Sequence, residues 1–523
     1  MTESHSTNLG DLVRRDRDLS KLAVIDLGGE TGPREFRYRD LDGAAAAVAS
    51  ALAGRGLQRG DRIAILSANR FEYLATYFGI MRAGLVAVPV NFKFPRATIH
   101  FILADSSARL VFCDAARRAD CPEGLPVVQF GDARGVGGAA SSRRPAFDMT
   151  RQQDVGFDAF VDRQSFETIT PAPDAPAMFL YTSGSSGTPK GVILSHHSHI
   201  WVAETRLGSQ DLSRHRYLIA APLYHMNALA IAKLAMVGHS TIVLLPQFKA
   251  RDYIDAIGRY RCTWLTAVPP MLAMMLRETE AMAHADLSSV EFVRMGSAPV
   301  SQSLMSALKR VFPKAAITNA YGTTEAGPVV FGPHPKGLPQ PEMSVGYPHP
   351  LVQLRLAGGG DQGVLEMKCP AVMSGYHNRP DIRQPITPDG FYITGDVFRR
   401  DEHGFHTFVG RSDDMFVSGG ENIYPADVER MLERHPAVAQ AAVIPVDDDI
   451  KGTKPVAFVV ARPGTPPPTE NEIKQFALAN APAYQHPRFV WLLDELPLAS
   501  TNKLDRAQLE RMAEERVRRG AGS

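Results

Sequence analysis

Short apolar runs alternate with amphipathic stretches through most of this 523-residue chain. The run RIAILSAN at 62–69 is typical of a buried strand, and RFEYLATYFGIMRAG at 70–84 has the spacing of an amphipathic helix that ends at Gly84. A second strand pattern follows at 85–91, and the stretch 98–113 repeats the order of helix and then strand. This rhythm predicts an α/β fold that is built largely on parallel sheets.

The pattern changes near Gly410–Asp414, where we place a domain boundary because a chain of this length exceeds one core. The residues before this point are rich in strand patterns and turns, as in GFYITGDVFRRDEHGFHTFVG at 390–410. The residues after it predict a helix from Pro425, two strands in AAVIPV and KPVAFVVA, a helix from Thr469 and a basic C-terminal helix. We therefore expect an N-terminal domain at 1–411 and a C-terminal domain at 412–523.

Composition excludes several classes of protein. The chain has 57 Lys and Arg against 56 Asp and Glu, so a net charge of +1 gives no electrostatic footprint for nucleic acid. Its polar start, MTESHSTNLGDLVRRDRDLSK, lacks the apolar core of a signal peptide. The four cysteines are scattered without metal-ligand spacing, which favours the reducing cytoplasm; they are Cys113, Cys121, Cys262 and Cys369.

The most apolar region, Leu218 to Pro246, is interrupted by polar residues and a proline. A membrane-spanning helix needs about 20 mostly apolar residues in a row. We therefore predict a buried helix followed by the buried strand STIVLLP. The motif SHHSH at 195–199 has no standard metal-ligand spacing and is interpreted as helix-start or solvated histidines.

The stretch YTSGSSGTPKGV at 181–192 combines glycines, hydroxyl side chains and Lys190, which indicates a phosphate-binding loop. It does not fit G-x-x-x-x-G-K-[ST], so another kind of nucleotide site is indicated. The alternative is a linker of turn residues. The strand-like AMFLY before the loop and GVILSH after it argue against that alternative.

Six further motifs follow this loop in order: APLYHMNAL at 221–229, MGSAP at 295–299, NAYGTTEAGP at 319–328, YITGD at 392–396, GRSDDMFVSGGENIYPADVE at 410–429 and PLASTNKLDR at 497–506. The ordered set resembles the adenylate-forming superfamily of acyl- and aryl-CoA synthetases, luciferases and peptide-synthetase adenylation domains. It is most similar to bacterial carboxylate–CoA ligases of the 4-coumarate, feruloyl, benzoate and fatty-acid type. The resemblance covers roughly residues 20–510.

The resemblance implies a large N-terminal domain of stacked, mostly parallel sheets flanked by helices, with a β-barrel-like module, and a small mobile α+β C-terminal domain. It implies an ATP-dependent carboxylate–CoA ligase with Mg²⁺ as cofactor. An acyl-adenylate and pyrophosphate form first, and coenzyme A then gives the thioester and AMP. The partners are the carboxylate, ATP and CoA, with no nucleic acid and no membrane span, and the protein is a monomer or a homodimer.

The resemblance also assigns the nucleotide residues. Glu325 would hold Mg²⁺ and contribute to catalysis together with Thr182, Tyr321 would lie beside the adenine, and Asp396 would bind the ribose. Ser185 and Ser186 stand where the family commonly has Thr-Thr, which keeps both hydroxyls. The full set for ATP is Thr182, Ser183, Gly184, Ser185, Ser186, Gly187, Thr188, Lys190, Gly296, Ser297, Ala298, Pro299, Asn319, Tyr321, Gly322, Thr323, Thr324, Asp396 and Arg411.

Two segments of the C-terminal domain resemble the parts that serve the two half-reactions. Lys503 matches the catalytic lysine of adenylation, although Asn502 stands where glycine often precedes it. Asp413 matches the hinge about which the domain rotates. Gly419, Gly420 and Glu421 match the loop that leaves room for the pantetheine arm of CoA.

For the acid, His225 matches the histidine that acyl- and aryl-CoA ligases place beside the carboxylate. The motif APLYHMNALA lacks the acidic residue of amino-acid-activating domains. By resemblance the pocket comprises His225, Asn227, Ala298, Ala320, Pro328 and Val329. The first expectation is a hydroxycinnamate or similar aryl acid, and the second is a medium-chain fatty acid. The alternative functions are an adenylating enzyme that loads a carrier protein and a non-catalytic nucleotide-binding relative.

Overall fold

A computed structural model of the chain describes residues 6–29, 32–131, 154–161, 164–182, 188–298, 300–418, 420–448, 452–499 and 504–520. Some residues predicted for the site lie outside these ranges: Ser183, Gly184, Ser185, Ser186, Gly187, Pro299, Gly419 and Lys503.

The first part of the chain alternates strands and helices, as its sequence pattern predicts. The strands are β1 (Leu22–Asp26), β2 (Arg34–Arg37), β3 (Arg62–Leu66), β4 (Val86–Pro89), β5 (Ala108–Asp114), β6 (Val127–Phe130), β7 (Asp154–Gly156), β8 (Pro176–Thr182), β9 (Lys190–Ser195), β10 (Arg216–Ile219), β11 (Thr241–Leu244), β12 (Trp264–Ala267), β13 (Phe292–Gly296) and β14 (Ala316–Ala320). The helices are α1 (Tyr38–Ala53), α2 (Phe71–Arg82), α3 (Arg96–Asp105), α4 (Phe157–Phe160), α5 (His196–Leu207), α6 (Met226–Val237), α7 (Ala250–Tyr260), α8 (Pro269–Arg277), α9 (Thr279–His284) and α10 (Gln302–Val311).

The rest of the chain is richer in short antiparallel strands. They are β15 (Phe331–Gly332), β16 (Tyr347–Pro348), β17 (Gln353–Leu356), β18 (Gln362–Lys368), β19 (Gly375–Tyr376), β20 (Tyr392–Arg400), β21 (His406–Arg411), β22 (Phe416–Ser418), β23 (Glu421–Ile423), β24 (Val438–Asp448), β25 (Gly452–Ala461) and β26 (Val490–Leu493). The helices are α11 (Pro425–Leu432), α12 (Glu470–Asn480) and α13 (Arg506–Gly520).

Two mostly parallel sheets form the body of the N-terminal domain. One has the strand order β19-β9-β8-β4-β3-β5-β6-β7, and the other has β14-β13-β12-β10-β11-β1-β2. Antiparallel pairing occurs only at β2 in the second sheet and at β9 and β19 in the first, among the described strands. The predicted α/β architecture is therefore confirmed, with helices such as α1, α2, α5 and α6 packed on the sheets.

The module expected to be barrel-like is an antiparallel sheet of order β17-β18-β20-β21, accompanied by the β15–β16 pair. The small C-terminal domain has the sheet order β23-β22-β25-β24, with β26 parallel to β25. Apolar clusters lie on both faces of that sheet, one under α11 and α12 and the other under α13. This is the predicted α+β domain.

Three local predictions can be compared with the structure. The helix expected at 70–84 is α2, and Gly84 follows it with a φ of +72°. The apolar region 218–246 contains α6 and β11, and within the described ranges no helix is long and apolar enough to cross a membrane. The motif SHHSH begins α5 with Ser195 as N-cap, but His196 and His199 are buried rather than solvated.

Helices α1 and α2 pack closely because Gly79 of α2 faces α1 without a side chain. A Cβ at Gly79 would lie 2.7 Å from both the Ala45 carbonyl oxygen and the Val48 Cβ. Gly43, which lies within α1, is exposed, and a Cβ there would have no neighbouring atom within 4 Å. Alanine at each of these two positions therefore distinguishes the effect of close helix packing on stability from the effect of helix propensity.

Gly79→Ala should destabilise the N-terminal domain by about 1–3 kcal/mol, because the added methyl group overpacks the helix contact. Gly43→Ala is the matched control and should be neutral or slightly stabilising, because alanine favours a helix over glycine. Thermal unfolding by circular dichroism measures both effects. Equal melting temperatures for the two variants would contradict the packing role of Gly79.

Candidate active site

A large cavity lies where parallel strands of the second sheet end. The chain leaves β10, β12, β13 and β14 at this edge, and the residues that follow each strand line a cavity of about 1230 Å³. Ligands commonly bind at the carboxyl ends of strands in open α/β sheets. The cavity continues to β20, β21 and the C-terminal domain, where Arg430 and Arg506 line it.

Most of the described residues predicted for the site lie on this wall. They are Thr182, Lys190, His225, Asn227, Gly296, Ser297, Ala298, Asn319, Ala320, Tyr321, Gly322, Thr323, Thr324, Glu325, Pro328, Asp396, Arg411 and Asp413. The structure does not bring the others to it: Thr188 is exposed, Val329 is buried in the core, and Gly420 and Glu421 are exposed elsewhere.

The turn after β13 is held close to β14 by a missing side chain. A Cβ at Gly296 would lie 2.7 Å from the Ala320 carbonyl oxygen. Ser297 follows with a φ of +67°, a conformation that is uncommon for a residue other than glycine. Such strained residues occur often at ligand sites, because the surrounding structure has to hold them there.

The turn from Tyr321 to Pro328 is equally compact. The Gly327 N–H donates to the Thr323 carbonyl at 2.9 Å, and the Ala326 N–H donates to the Thr323 hydroxyl at 3.0 Å. A Cβ at Gly322 would lie 2.7 Å from the Pro328 Cα and 2.8 Å from the Gly327 carbonyl oxygen. Only glycine fits at 322, so this residue fixes the path that carries Tyr321 and Glu325.

Asp396 is the centre of a buried polar network. The register of β20 with β21 pairs Asp396 with Arg411, whose Nη1 donates to Asp396 Oδ1 at 2.8 Å. The Tyr321 hydroxyl donates to the other carboxylate oxygen. Burial raises the pKa of Asp396, while the positive charge of Arg411 opposes that effect. Arg411 also donates from Nε to Asp413 at 2.8 Å, which links the cavity wall to the predicted hinge.

Lys190 and Glu325 lie near one aromatic ring, that of Tyr376. The Lys190 Nζ is 5.6 Å from the ring centroid, and the Tyr376 hydroxyl donates to Glu325 Oε1 at 3.2 Å. Strand β19 pairs Tyr376 with Val192 of β9, which places it beside Lys190. Tyr376 could not be predicted as a site residue, because this short antiparallel pairing has no local signal in the sequence.

His225 stands at the start of α6, as its N-cap residue, and its ring packs on Tyr224 at a centroid distance of 4.6 Å. Asn227 follows in the first turn of the same helix. Both side chains reach the cavity because α6 begins directly after the β10 edge.

Residues of the C-terminal domain also line this cavity. Arg430 of α11 donates to the carbonyl oxygens of Phe408 at 2.8 Å and Val409 at 3.1 Å in β21. Leu498 and Leu504, which form an isolated antiparallel bridge, both line the cavity. The described residues on either side of 500–503 therefore lie at the cavity.

Two family models match different parts of the chain. A family model described as AMP-binding enzyme matches residues 14–377, and a second, described as AMP-binding enzyme C-terminal domain, matches residues 427–503. The chain is 31% identical over 508 residues to a feruloyl-CoA synthase of Amycolatopsis sp, covering 95% of this chain and 97% of that protein. It is 30% identical over 483 residues to an indoleacetate–CoA ligase of Aromatoleum aromaticum, covering 90% and 92%.

A solved structure shares the whole fold. The crystal structure of ATP-bound MatB from Rhodopseudomonas palustris superposes with a TM-score of 0.81 at 26% identity, covering 97% of this chain and 98% of that one.

Gly322→Ala should lower the activity of this site by about 10²-fold, because the methyl group displaces the turn that carries Tyr321 and Glu325. Gly332→Ala is the control, since its nearest neighbour would be His349 Cδ2 at 3.6 Å. AMP formation from ATP measures both variants, with circular dichroism to verify folding. A folded Gly322→Ala protein with full activity would contradict this account of the turn.

Proposed function

Because the chain belongs to the AMP-binding enzyme family and is an AMP-forming carboxylate–CoA ligase, we propose how its residues divide the two steps. In the first step a carboxylate oxygen attacks the α-phosphorus of ATP and pyrophosphate leaves. In the second step the CoA sulfur attacks the acyl carbonyl carbon and AMP leaves. The observation that supports this division is the convergence of Lys190, Glu325, Asp396, Leu498 and Leu504 on one cavity.

Lys190 and the hydroxyl of Thr182 contact the phosphates in this proposal, together with the loop 183–188. A lysine and backbone or hydroxyl donors suit charge that develops on phosphate oxygens. Lys190 makes no ion pair with any carboxylate of the described residues, so its charge is available to a ligand.

Glu325 holds Mg²⁺ in this proposal. Magnesium in phosphate-transfer sites usually takes one or two protein carboxylates and completes its shell with phosphates and water. No cluster of three or more possible ligands exists among the described residues, and Glu325, with one hydrogen bond from Tyr376, fits the smaller requirement. When bound, the ion neutralises phosphate charge. Tyr376 positions the carboxylate for it.

Asp396 accepts hydrogen bonds from the ribose hydroxyls in this proposal. Its two oxygens are oriented by Tyr321 and Arg411, and its side chain lies on the cavity wall. Tyr321 thereby has two functions, because its ring borders the adenine site while its hydroxyl holds Asp396. Gly296, Ser297, Ala298 and Asn319 line the same part of the cavity.

The small domain, from residue 412 onward, serves the steps in turn. Lys503 bridges the carboxylate and the α-phosphate during adenylation. Rotation at Asp413 then withdraws it and brings Gly419–Glu421 to the site for CoA. The present arrangement supports the first orientation, because Leu498 and Leu504 line the cavity whereas Gly420 and Glu421 are exposed away from it.

The acid extends from His225 into the space between α6 and the turn at Pro328. Asn227, Ala298, Ala320 and Pro328 border this space, and small side chains at 298 and 320 leave room for a ring or an extended chain. This agrees with the expectation of an aryl or elongated acid rather than an amino acid.

The reaction is tested by measuring AMP release from ATP with benzoates, hydroxycinnamates, dicarboxylic acids, fatty acids and amino acids, each with and without CoA. We expect AMP release that requires one class of acid and CoA together. Pyrophosphate release without stimulation by CoA would instead support the loading of a carrier protein. Absence of turnover with every acid would support a non-catalytic relative.

Lys503→Ala should reduce adenylate formation by about 10²-fold or more, because a charge that stabilises the transition state is lost. Thioester formation from a synthetic acyl-adenylate and CoA should remain largely intact. Lys474→Ala removes a lysine that pairs with Glu470 on α12 and is the control in the same domain. Pyrophosphate release and thioester formation are measured separately. An equal loss of both steps would contradict the division between the two faces.

A further inference from the structure

Three basic side chains lie near the turn that ends at Pro328. They are Arg206 of α5, Lys233 of α6 and Arg294 of β13. Arg294 lines the cavity, and its Nη2 approaches the Pro328 carbonyl oxygen at 3.5 Å. Arg206 is near enough to both other cations for their charges to interact. These residues form one group, which we name the distal basic cluster.

Helix packing directs the cluster toward this turn. Val202 and Arg206 lie one helical turn apart on the same face of α5. A Cβ on Gly327 would lie 3.2 Å from Val202 Cγ2, so this face borders the turn before Pro328. Lys233 reaches across from α6, with its Nζ 2.9 Å from His199 Nδ1, one turn before Val202 on α5.

No carboxylate of the described residues forms an ion pair or hydrogen bond with any member of the cluster. Two other arginines of low exposure have acidic partners. Arg82, 1% exposed, pairs with Asp42 at 2.7 Å, and Arg34 pairs with Asp26 and Glu72. Lys233 is fully buried, and His199 is the only hydrogen-bond partner of its ammonium group among the described residues.

Burial without a counter-charge affects the ionisation of the whole cluster. It lowers the pKa of Lys233 to about 7 and that of Arg206 to about 9, with a further contribution from each neighbouring cation. Burial also lowers the pKa of Arg294 and keeps His199 neutral. An uncompensated buried charge is costly, and an anion that enters the site removes much of that cost.

Two of the buried polar atoms near the cluster have no hydrogen-bond partner among the described residues. One is His199 Nε2, which carries the ring proton because Nδ1 accepts from Lys233. The other is the Thr266 hydroxyl, whose strand register pairs Thr266 with Arg294 on one face of the sheet. Both atoms can donate a hydrogen bond, as the three cations can.

We propose that the acid carries a second carboxylate at its far end, which Arg294 and Arg206 receive, with Lys233 and His199 behind them. This inference rests on the proposed function, because it concerns the same acyl space. An acid with an apolar or phenolic end leaves the cluster uncompensated. The preferred substrates are therefore dicarboxylic acids, in preference to the fatty acids and hydroxycinnamates expected from sequence.

The test compares each dicarboxylic acid with its own monomethyl ester, which keeps one carboxylate for activation. Adipate, suberate and 4-carboxycinnamate are suitable probes, and CoA-dependent AMP release gives kcat/KM. We expect the diacid of the best pair to exceed its monoester by about 10²-fold, because hydrogen bonds between charged groups are lost in the ester. Equal values for diacid and monoester would overturn the proposal and leave the ligase function intact. No CoA-dependent AMP release with any acid would instead contradict the ligase itself.

Variants assign the preference to the cluster. Arg206→Met and Arg294→Met should each bring the ratio of diacid to monoester down by about 10-fold or more. Arg206→Lys should retain part of the ratio, because it keeps the charge. Arg259→Met changes an exposed arginine of α7 and is the matched control, which should keep the full ratio. An unchanged ratio in folded Arg206→Met and Arg294→Met proteins would overturn the assignment. If either methionine variant fails to fold, the wild-type substrate pairs and Arg206→Lys still decide the outcome.

Discussion

Parallel strands place their carboxyl ends along one edge of a sheet, and the active site depends on that constraint. The turns after β10, β12, β13 and β14 have to converge there, although their motifs are separated by many residues in sequence. Gly296 and Gly322 then allow the last two turns to approach neighbouring backbone more closely than any other residue would permit. The parts of the cavity proposed for the nucleotide and for the acid are both built on this edge.

The two ends of the cavity differ in charge. At the nucleotide end, carboxylates have partners that orient them, as Tyr321 and Arg411 do for Asp396 and Tyr376 does for Glu325. At the acyl end, Arg206, Lys233 and Arg294 have no such partners among the described residues. A substrate with an anion at its far end would complete this second set, as ATP and Mg²⁺ would complete the first.

Arg411 contacts both the proposed ribose site and the proposed hinge. It joins Asp396, on the cavity wall, to Asp413 at the proposed hinge. Among the described residues, Arg430 donates to backbone carbonyl oxygens of β21 and pairs with Asp427 of its own helix. Loss of the contact with β21 would therefore not separate a pair of opposite side-chain charges. The proposed hinge is thus linked to the proposed ribose site through Arg411.

The sequence by itself determined the α/β rhythm, because periodicity is a local property, and its contiguous motifs predicted the two domains and the nucleotide residues. It also predicted Glu325, Asp396 and His225 as site residues, and all three line the cavity. Tertiary structure alone decided the position of Tyr376, which depends on the short β9–β19 pairing, and moved Val329 into the core. The distal basic cluster also depends on tertiary structure, since Arg206, Lys233 and Arg294 come from three separate elements. Only their packing shows that no carboxylate of the described residues pairs with them.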